Sequence, residues 1–225
     1  MNRIVLGGAQ LGLPYGILNG GETLSREEVA RILDTAVDHG IDSIDTAIAY
    51  GQSESIIGET SQNRFNIISK LPPLPVDISN VSEWVHSQVQ GSLSRLKCTS
   101  LDALLLHRPQ DLTGAQGAEL YAAIGSLMAE KMIHRFGVSI YSPDDLEGII
   151  GTFDIHVVQA PLNVFDRRIL GVADQLSALN IEVHVRSVFL QGVLIANPIN
   201  RPQRFEPWSE HFALFDEWVR SSGVS

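Results

Sequence analysis

Short apolar runs rich in β-branched residues alternate along the chain with longer segments of helical periodicity. In the first helical segment Val29, Ile32, Leu33 and Ala36 recur at the spacing of one helix face. The apolar runs predict six strands, over 41–45, 65–70, 101–107, 135–139, 156–161 and 181–187. The periodic segments predict helices over 25–39, 81–96, 117–130, 143–150, 168–179 and 209–220.

Regular alternation of strands and helices is typical of parallel strands joined by right-handed crossovers. A doubly wound sheet and a (β/α) barrel both agree with this pattern. Ahead of the first helix, residues 3–13 predict a short β-hairpin, with Gly7, Gly8 and Gly12 at its bends. No repeat and no linker divides the sequence, so we expect a single domain over residues 1–225.

Composition narrows the classes of function. The 225 residues are 44% hydrophobic and 19% charged, which excludes a disordered chain. A net charge of −10 without a basic stripe argues against nucleic-acid binding, and no apolar run is long enough to span a membrane. Cys98 is the single cysteine, and no Cys/His cluster has metal-ligand spacing, so we expect no metal and a cytoplasmic setting.

Polar side chains stand at the carboxyl end of each predicted strand. They are Asp45, Lys70, His107, Ser139, Gln159 and the pair Arg186 and Ser187. A parallel barrel gathers these strand ends in a ring on one face, where barrel enzymes place their chemistry. Each residue alone has an ordinary structural explanation, but the complete set favours a functional site.

The residue types in this ring restrict the chemistry. Asp45, Lys70 and His107, with Tyr50 on the following loop, supply a carboxylate, an ammonium, an imidazole and a phenol. A nearby ammonium lowers the pKa of a phenol, so Tyr50 is predicted to be a tunable proton donor, suited to protonating an alkoxide as a carbonyl is reduced. Lys70, as a lysine at the end of a barrel strand, is also a candidate Schiff-base nucleophile, so a lyase is an alternative to a reductase.

Residues 40–58, GIDSIDTAIAYGQSESIIG, closely resemble the motif of the aldo-keto reductase family around its catalytic Asp and Tyr. Lys70 in IISKLP and His107 in LLLHRP resemble the other two catalytic positions of that family. The resemblance continues in order from Arg3 to about Arg220.

The resemblance implies a TIM-type (β/α) barrel with an N-terminal β-hairpin, which reduces a small aldehyde or ketone with NADPH. NADH is not excluded. Tyr50 would be the general acid, Asp45 and Lys70 would tune its pKa, and His107 would orient the carbonyl. Ser139 and Gln159 would hold the nicotinamide carboxamide, and Arg186 stands where many relatives carry a stacking aromatic residue. The cofactor-binding residues implied are Gly8, Ala9, Asp45, Ser139, Gln159, Arg186, Ser187, Phe189, Gln191 and Gly192.

Only about six of the eight barrel strands are visible in the sequence. A shortened chain, strands supplied by a partner, or an open six-stranded barrel would each explain the count. Open strand edges favour association, so a homo-oligomer covering the edges is expected. The alternative function is a non-catalytic remnant of the family that binds a nucleotide or a partner protein.

Overall fold

Seven parallel strands form one sheet in the computed structural model, which describes residues 4–223. Each strand pairs with the next strand in the sequence. The strands are β1 (Leu6–Gly7), β2 (Ser43–Asp45), β3 (Asn66–Leu71), β4 (Leu101–Leu106), β5 (Ile133–Ser139), β6 (Val157–Pro161) and β7 (Glu182–Arg186).

The sheet is curled. In a flat sheet β2 and β6 would lie roughly 19 Å apart, because four strand spacings separate them. Instead the Nε2 atom of Gln159 on β6 lies 2.9 Å from Asp45 Oδ1 on β2. The architecture is therefore an incomplete TIM-type barrel, as predicted, with the carboxyl ends of the strands gathered on one face.

Alternation along the strands divides the apolar side chains between two clusters. Ile68, Ala103, Leu105 and Val157 form a small cluster of their own. Ile67 and Leu104, one residue away on the same strands, belong to the large core with the helices. The helices are α1 (Arg26–Asp38), α2 (Ser53–Thr60), α3 (Val81–Leu96), α4 (Gly117–Ala129), α5 (Ala173–Ala178) and α6 (Ser209–Ser222).

The predicted N-terminal hairpin is wrong. Leu6 and Gly7 pair in parallel with Ile44 and Asp45, and a 3-10 turn follows at Ala9–Leu11; Arg3 lies outside the described residues. The sheet thus has one strand more than the six counted from the sequence. A two-residue strand shows no alternation, which is why its sequence could not reveal it.

Helix α2 was not predicted, and it lies close to two backbone segments. A Cβ atom on Gly12 would be 2.0 Å from the backbone nitrogen of Ser53, and one on Gly58 would be 2.1 Å from the carbonyl oxygen of Arg95. The helix predicted over 143–150 is only a 3-10 turn, Pro143–Leu146, and the one over 168–179 divides into a 3-10 turn and α5. The other helices lie where the periodicity predicts them.

The sheet has two unpaired edges, β1 and β7. Beside β1, a groove of about 540 Å³ is lined by apolar residues that include Leu6, Leu24, Ile32 and Ile41. Within residues 4–223, none of the helices combines the length and the apolar character required to cross a bilayer.

Candidate active site

Asp45 and Lys70 form an ion pair at the ends of β2 and β3. Lys70 Nζ lies 2.6 Å and 2.7 Å from the two carboxylate oxygens of Asp45, and it donates a third hydrogen bond, 2.8 Å long, to the carbonyl oxygen of Thr46. The lysine side chain is fully buried, whereas the aspartate is partly exposed. An ammonium that donates three hydrogen bonds has no free lone pair, so this geometry gives no support to a Schiff-base lyase.

Burial lowers the pKa of Lys70 from its usual value, and the charge of Asp45 opposes that effect. Removing Asp45 would leave the buried ammonium of Lys70 without its counter-charge, and removing Lys70 would leave the Asp45 carboxylate with the amide of Gln159, so the two residues hold each other in place.

Tyr50 lies on the loop between β2 and α2, next to this pair. Its ring centroid is 5.3 Å from Lys70 Nζ and 5.7 Å from the centroid of the His107 ring. Burial raises the pKa of Tyr50 to about 12, and the charge of Asp45 adds to the rise. The sequence argument predicted that Lys70 would lower this pKa, whereas the balance of burial and charge in the structure raises it. Tyr50 is therefore a protonated phenol at neutral pH.

His107 follows β4 directly, and its backbone N–H donates to the carbonyl oxygen of Leu71, 3.1 Å away. Burial lowers the pKa of His107 to about 4, and the positive charge of Lys70 acts in the same direction. The imidazole is neutral near pH 7, so it has one N–H donor and one acceptor nitrogen.

Ser139 and Gln159 extend the polar set from β5 and β6. Besides its bond to Asp45, Gln159 accepts a hydrogen bond of 3.3 Å at its Oε1 atom from the Ser139 hydroxyl. Both side chains are buried. Asp45 thus accepts hydrogen bonds from Lys70 and Gln159, and it connects the ion pair beside Tyr50 to the side-chain amide of Gln159.

Gly8 and Ala9 lie beside Asp45 through the backbone. The Gly8 N–H donates to the carbonyl oxygen of Asp45 at 2.7 Å, and the Ser53 hydroxyl donates to the carbonyl oxygen of Gly8 at 2.8 Å. A Cβ atom on Gly8 would stand 2.9 Å from the Asp45 oxygen, so this approach requires glycine. Ala9 begins the 3-10 turn that follows.

The segment after β7 carries the other predicted cofactor residues. Arg186 donates a hydrogen bond of 3.0 Å to the carbonyl oxygen of Ile140, and its guanidinium lies 4.4 Å from the centroid of the Tyr141 ring. Ser187 and Gln191 adopt positive φ angles, as does Gly192.

Contacts within this segment and with an earlier loop fix its course. The Ser187 carbonyl accepts a bond from Asn163, the Gln191 carbonyl accepts one from the backbone of Ile17, and the Gly192 N–H donates to the carbonyl of Phe189. The structure thus brings Asp45, Tyr50, Lys70, His107, Ser139 and Gln159 together. Arg186 stands at their edge, and the Phe189 side chain is 57% exposed.

One buried group next to the site escaped the sequence argument. Glu54 is almost completely buried, and it accepts hydrogen bonds from the hydroxyls of Ser69 and Ser92 and from the guanidinium of Arg95. These contacts tie α2 to α3 and to the residue that precedes Lys70. The partners lie 15, 38 and 41 residues away, so only the position of Glu54 inside the motif of residues 40–58 could have pointed to it.

Comparison with known proteins agrees with this geometry. The model of the Aldo/keto reductase family matches residues 3–224. Two curated relatives are D-arabinose 1-dehydrogenase of Saccharomyces cerevisiae, 28% identical over 195 residues, and the oxidoreductase YqkF of Bacillus subtilis, 26% identical over 187 residues. Each alignment covers 78% of this chain, but only 57% and 60% of the relatives, so the chain spans about three fifths of their length.

Solved structures show the same fold. The glycerol dehydrogenase AKR11B4 of Gluconobacter oxydans aligns with a TM-score of 0.78 at 22% identity, covering 100% of this chain and 76% of that one. An aldo-keto reductase of Klebsiella pneumoniae in complex with NADPH aligns with a TM-score of 0.67 at 23% identity, covering 88% and 67%. The match over nearly the whole sequence, together with the incomplete barrel, establishes that the chain belongs to the aldo/keto reductase family.

Proposed function

We propose that this protein reduces an aldehyde or ketone to the alcohol with NADPH, and that Tyr50 is the general acid. The observation that carries the proposal is a protonated phenol beside a neutral imidazole and a buried ion pair, all at the carboxyl ends of parallel strands. This position in a barrel is the one at which catalytic residues are found.

In the proposed reaction the carbonyl carbon gains a hydride and the carbonyl oxygen gains a proton. NADPH, when bound, supplies the hydride. The Tyr50 hydroxyl donates the proton to the developing alkoxide, and the N–H of the neutral His107 donates a hydrogen bond that orients the carbonyl oxygen. Lys70 places a positive charge beside the phenolate that forms, which then regains a proton from water.

The chain's own donors and acceptors suit a nicotinamide ring. A carboxamide has one acceptor oxygen and two N–H donors, and Ser139 and Gln159 offer the complementary hydroxyl and amide next to Asp45. We propose that these two residues hold the carboxamide. Gly8 and Ala9 would line the floor beside Asp45, and Arg186 would lie at the nicotinamide end of the cofactor. Ser187, Phe189, Gln191 and Gly192 would lie along the rest of the cofactor.

The test is to follow NADPH oxidation with a panel of small aldehydes in the wild-type chain and in Tyr50→Phe. Loss of a general acid lowers turnover by about 100-fold to 10,000-fold. Tyr121→Phe is the matched control, because its hydroxyl accepts a hydrogen bond from the backbone of Asp154 and belongs to the apolar packing of α4. Undiminished turnover in Tyr50→Phe would refute the mechanism.

NADPH binding without turnover in the wild type would favour the non-catalytic alternative. The same assay with NADH measures the cofactor preference.

We further propose that the two open sheet edges are covered by a second copy of the chain. The apolar groove beside β1 and the exposed valine at position 185 of β7 support association. Light scattering after size exclusion should give about twice the 24.6 kDa mass of the monomer. A mass of one chain at tens of micromolar would contradict this proposal.

A cytoplasmic setting remains part of the proposal. One cysteine, half-buried Cys98, suits a reducing compartment, and burial raises the pKa of its thiol. Fractionation of cells that produce the tagged chain tests this assignment, and recovery in a membrane or secreted fraction would contradict it.

A further inference from the structure

Within residues 4–223, Arg186 is a positive charge at the site that forms no ion pair with a carboxylate. The arginines that form ion pairs are Arg26, Arg64, Arg95, Arg108, Arg135, Arg168 and Arg201. The others in residues 4–223 are exposed, apart from Arg186, which is partly buried at the end of β7. A partly buried guanidinium without a counter-charge is uncommon, because its desolvation is then not offset by an ion pair.

The charges of the surrounding groups do not cancel that of Arg186. Asp45 and Lys70 neutralise each other, Tyr50 is protonated, and His107 is neutral. The charge of Arg186 also reaches Asp166, whose carboxylate is already paired with the guanidinium of Arg168. Arg186 influences the pKa of Tyr50, Lys70 and His107 in the direction expected of a nearby cation. It opposes the rise at Tyr50, which burial causes, and it adds to the lowering at Lys70 and His107. The site therefore carries an excess of one positive charge.

The guanidinium is held in place yet keeps most of its donors free. One of its nitrogens donates to the carbonyl oxygen of Ile140, and its plane lies over the ring of Tyr141, which is 69% exposed. A guanidinium has five N–H donors in a fixed fork. With a single acceptor in the protein and an aromatic platform beneath it, Arg186 presents a fork that matches a carboxylate.

We propose that Arg186 determines substrate specificity, and that the preferred substrates are aldehydes or ketones that carry a carboxylate. The inference rests on the proposed reductase function and extends it to a class of substrate. An anionic group at Arg186 has two possible sources, a substrate carboxylate or a phosphate of the cofactor. The substrate fits better, because Arg186 is hydrogen-bonded to the carbonyl oxygen of Ile140, the residue after Ser139, which is proposed to hold the nicotinamide carboxamide. The guanidinium therefore lies at the end of the site where the carbonyl would react. The cofactor's diphosphate is joined to the nicotinamide through a ribose and so lies farther from the reacting carbon.

The experiment compares probes of equal size that differ in charge. The kcat/KM values for 4-formylbenzoate and 3-formylbenzoate are measured against those for the corresponding formylbenzamides, in the wild type and in Arg186→Gln. The wild type should prefer the carboxylates by about tenfold or more, which is the size of one charge-assisted bidentate contact. The preference should disappear in Arg186→Gln whatever happens to the absolute rates. Arg31→Gln, which removes an exposed charge from α1, should retain it.

A binding measurement separates failure of this inference from failure of the reductase function. Calorimetric titration with 4-(hydroxymethyl)benzoate and 4-(hydroxymethyl)benzamide, with and without NADP⁺, needs no turnover. A carboxylate preference that depends on Arg186 supports the inference even if no aldehyde is reduced. Absence of that preference in the wild type overturns it, as does a preference that survives in Arg186→Gln. NADPH titration of the same variants tests the cofactor as the source of the anionic group. If Arg186→Gln loses affinity for NADPH alone, the guanidinium binds a cofactor phosphate and the inference is wrong.

Discussion

The strands of the barrel differ sharply in how well they are buried. In the closed region, defined here as β2 to β6, Leu104, Leu105 and Leu106 are at most 2% exposed. In the open region, defined as β7 with residues 187–208, Val185 is 46% exposed. Each strand of the closed region has a strand on both sides, whereas β7 has one. The composition differs as well, since β4 reads LDALLL and β7 reads EVHVR.

The predicted site residues are divided between the closed and the open region. Asp45, Lys70 and His107 lie at strand ends of the closed region, as do Ser139 and Gln159. Arg186, Ser187, Phe189, Gln191 and Gly192 lie in the open region. We therefore expect the acid–base chemistry and the contacts to the nicotinamide carboxamide to depend on a rigid core, and the binding of the rest of the cofactor to depend on the less buried segment.

The largest effect should follow from breaking the ion pair in the closed region. Lys70→Met leaves the Asp45 carboxylate with Gln159 as its only side-chain partner, and loss of one member of a buried pair costs about 3–5 kcal/mol of the free energy of unfolding. Urea denaturation measures this change. Lys97→Met is the control, because Lys97 is exposed and forms no ion pair with any other residue between 4 and 223. Equal stability losses in the two variants would refute the structural importance of the Asp45–Lys70 pair.

A smaller effect is expected from pH. Burial lowers the pKa of His107 to about 4 in the folded chain, whereas an unfolded histidine titrates near its usual value of about 6.5. Between these values the unfolded chain binds the additional proton, so the free energy of unfolding should fall as the pH falls from about 6.5 to about 4. His107 is partly exposed, so we expect it to contribute about 2 kcal/mol.

Unfolding titrations of wild type, His107→Gln and His134→Gln at pH 7 and pH 4.5 test this prediction. His107→Gln should lose most of the pH dependence, whereas His134→Gln, which alters an exposed side chain, should keep it. An unchanged slope in His107→Gln would contradict the account of its burial.

The smallest effects compare two valines on neighbouring strands. Val158→Thr places a hydroxyl in the core beside β5 and should cost about 1–3 kcal/mol, whereas Val185→Thr on β7 should change the free energy of unfolding by less than about 0.5 kcal/mol. Thermal and urea denaturation distinguish them. Both variants are measured on the dilute, monomeric chain, because the proposed association would cover β7. A large loss in Val185→Thr under those conditions would contradict the contrast.

The sequence predicted the polar ring correctly because parallel strands place their carboxyl ends on one face, whatever the connections between them. Lys70 lies 25 residues and Gln159 lies 114 residues from Asp45 in the sequence, and hydrogen bonds join both side chains to Asp45. Strand β1 was missed because two residues carry no periodicity. Helix α2 was missed because its position depends on close backbone approach at Gly12 and Gly58, which is a tertiary effect.

The pKa of Tyr50 could not be predicted from the sequence for a different reason. The residue types suggested that Lys70 would lower this pKa, but burial and the charge of Asp45 raise it, and the cation that opposes them is Arg186. Desolvation depends on how the loop folds over the site, and no pattern of neighbouring residues encodes that quantity.

The central claim is that the closed region holds the proton donor and the nicotinamide carboxamide, while the open region holds the rest of the cofactor. The most direct test is to titrate the wild type, Tyr50→Phe and Gln191→Ala with NADPH, following the fluorescence of the nicotinamide, and to measure aldehyde reduction by the same samples. The account predicts saturable binding in the wild type and in Tyr50→Phe, with turnover only in the former, and weaker binding in Gln191→Ala. A folded wild-type chain that fails to bind NADPH, or a Tyr50→Phe variant that reduces aldehydes at the wild-type rate, would contradict it.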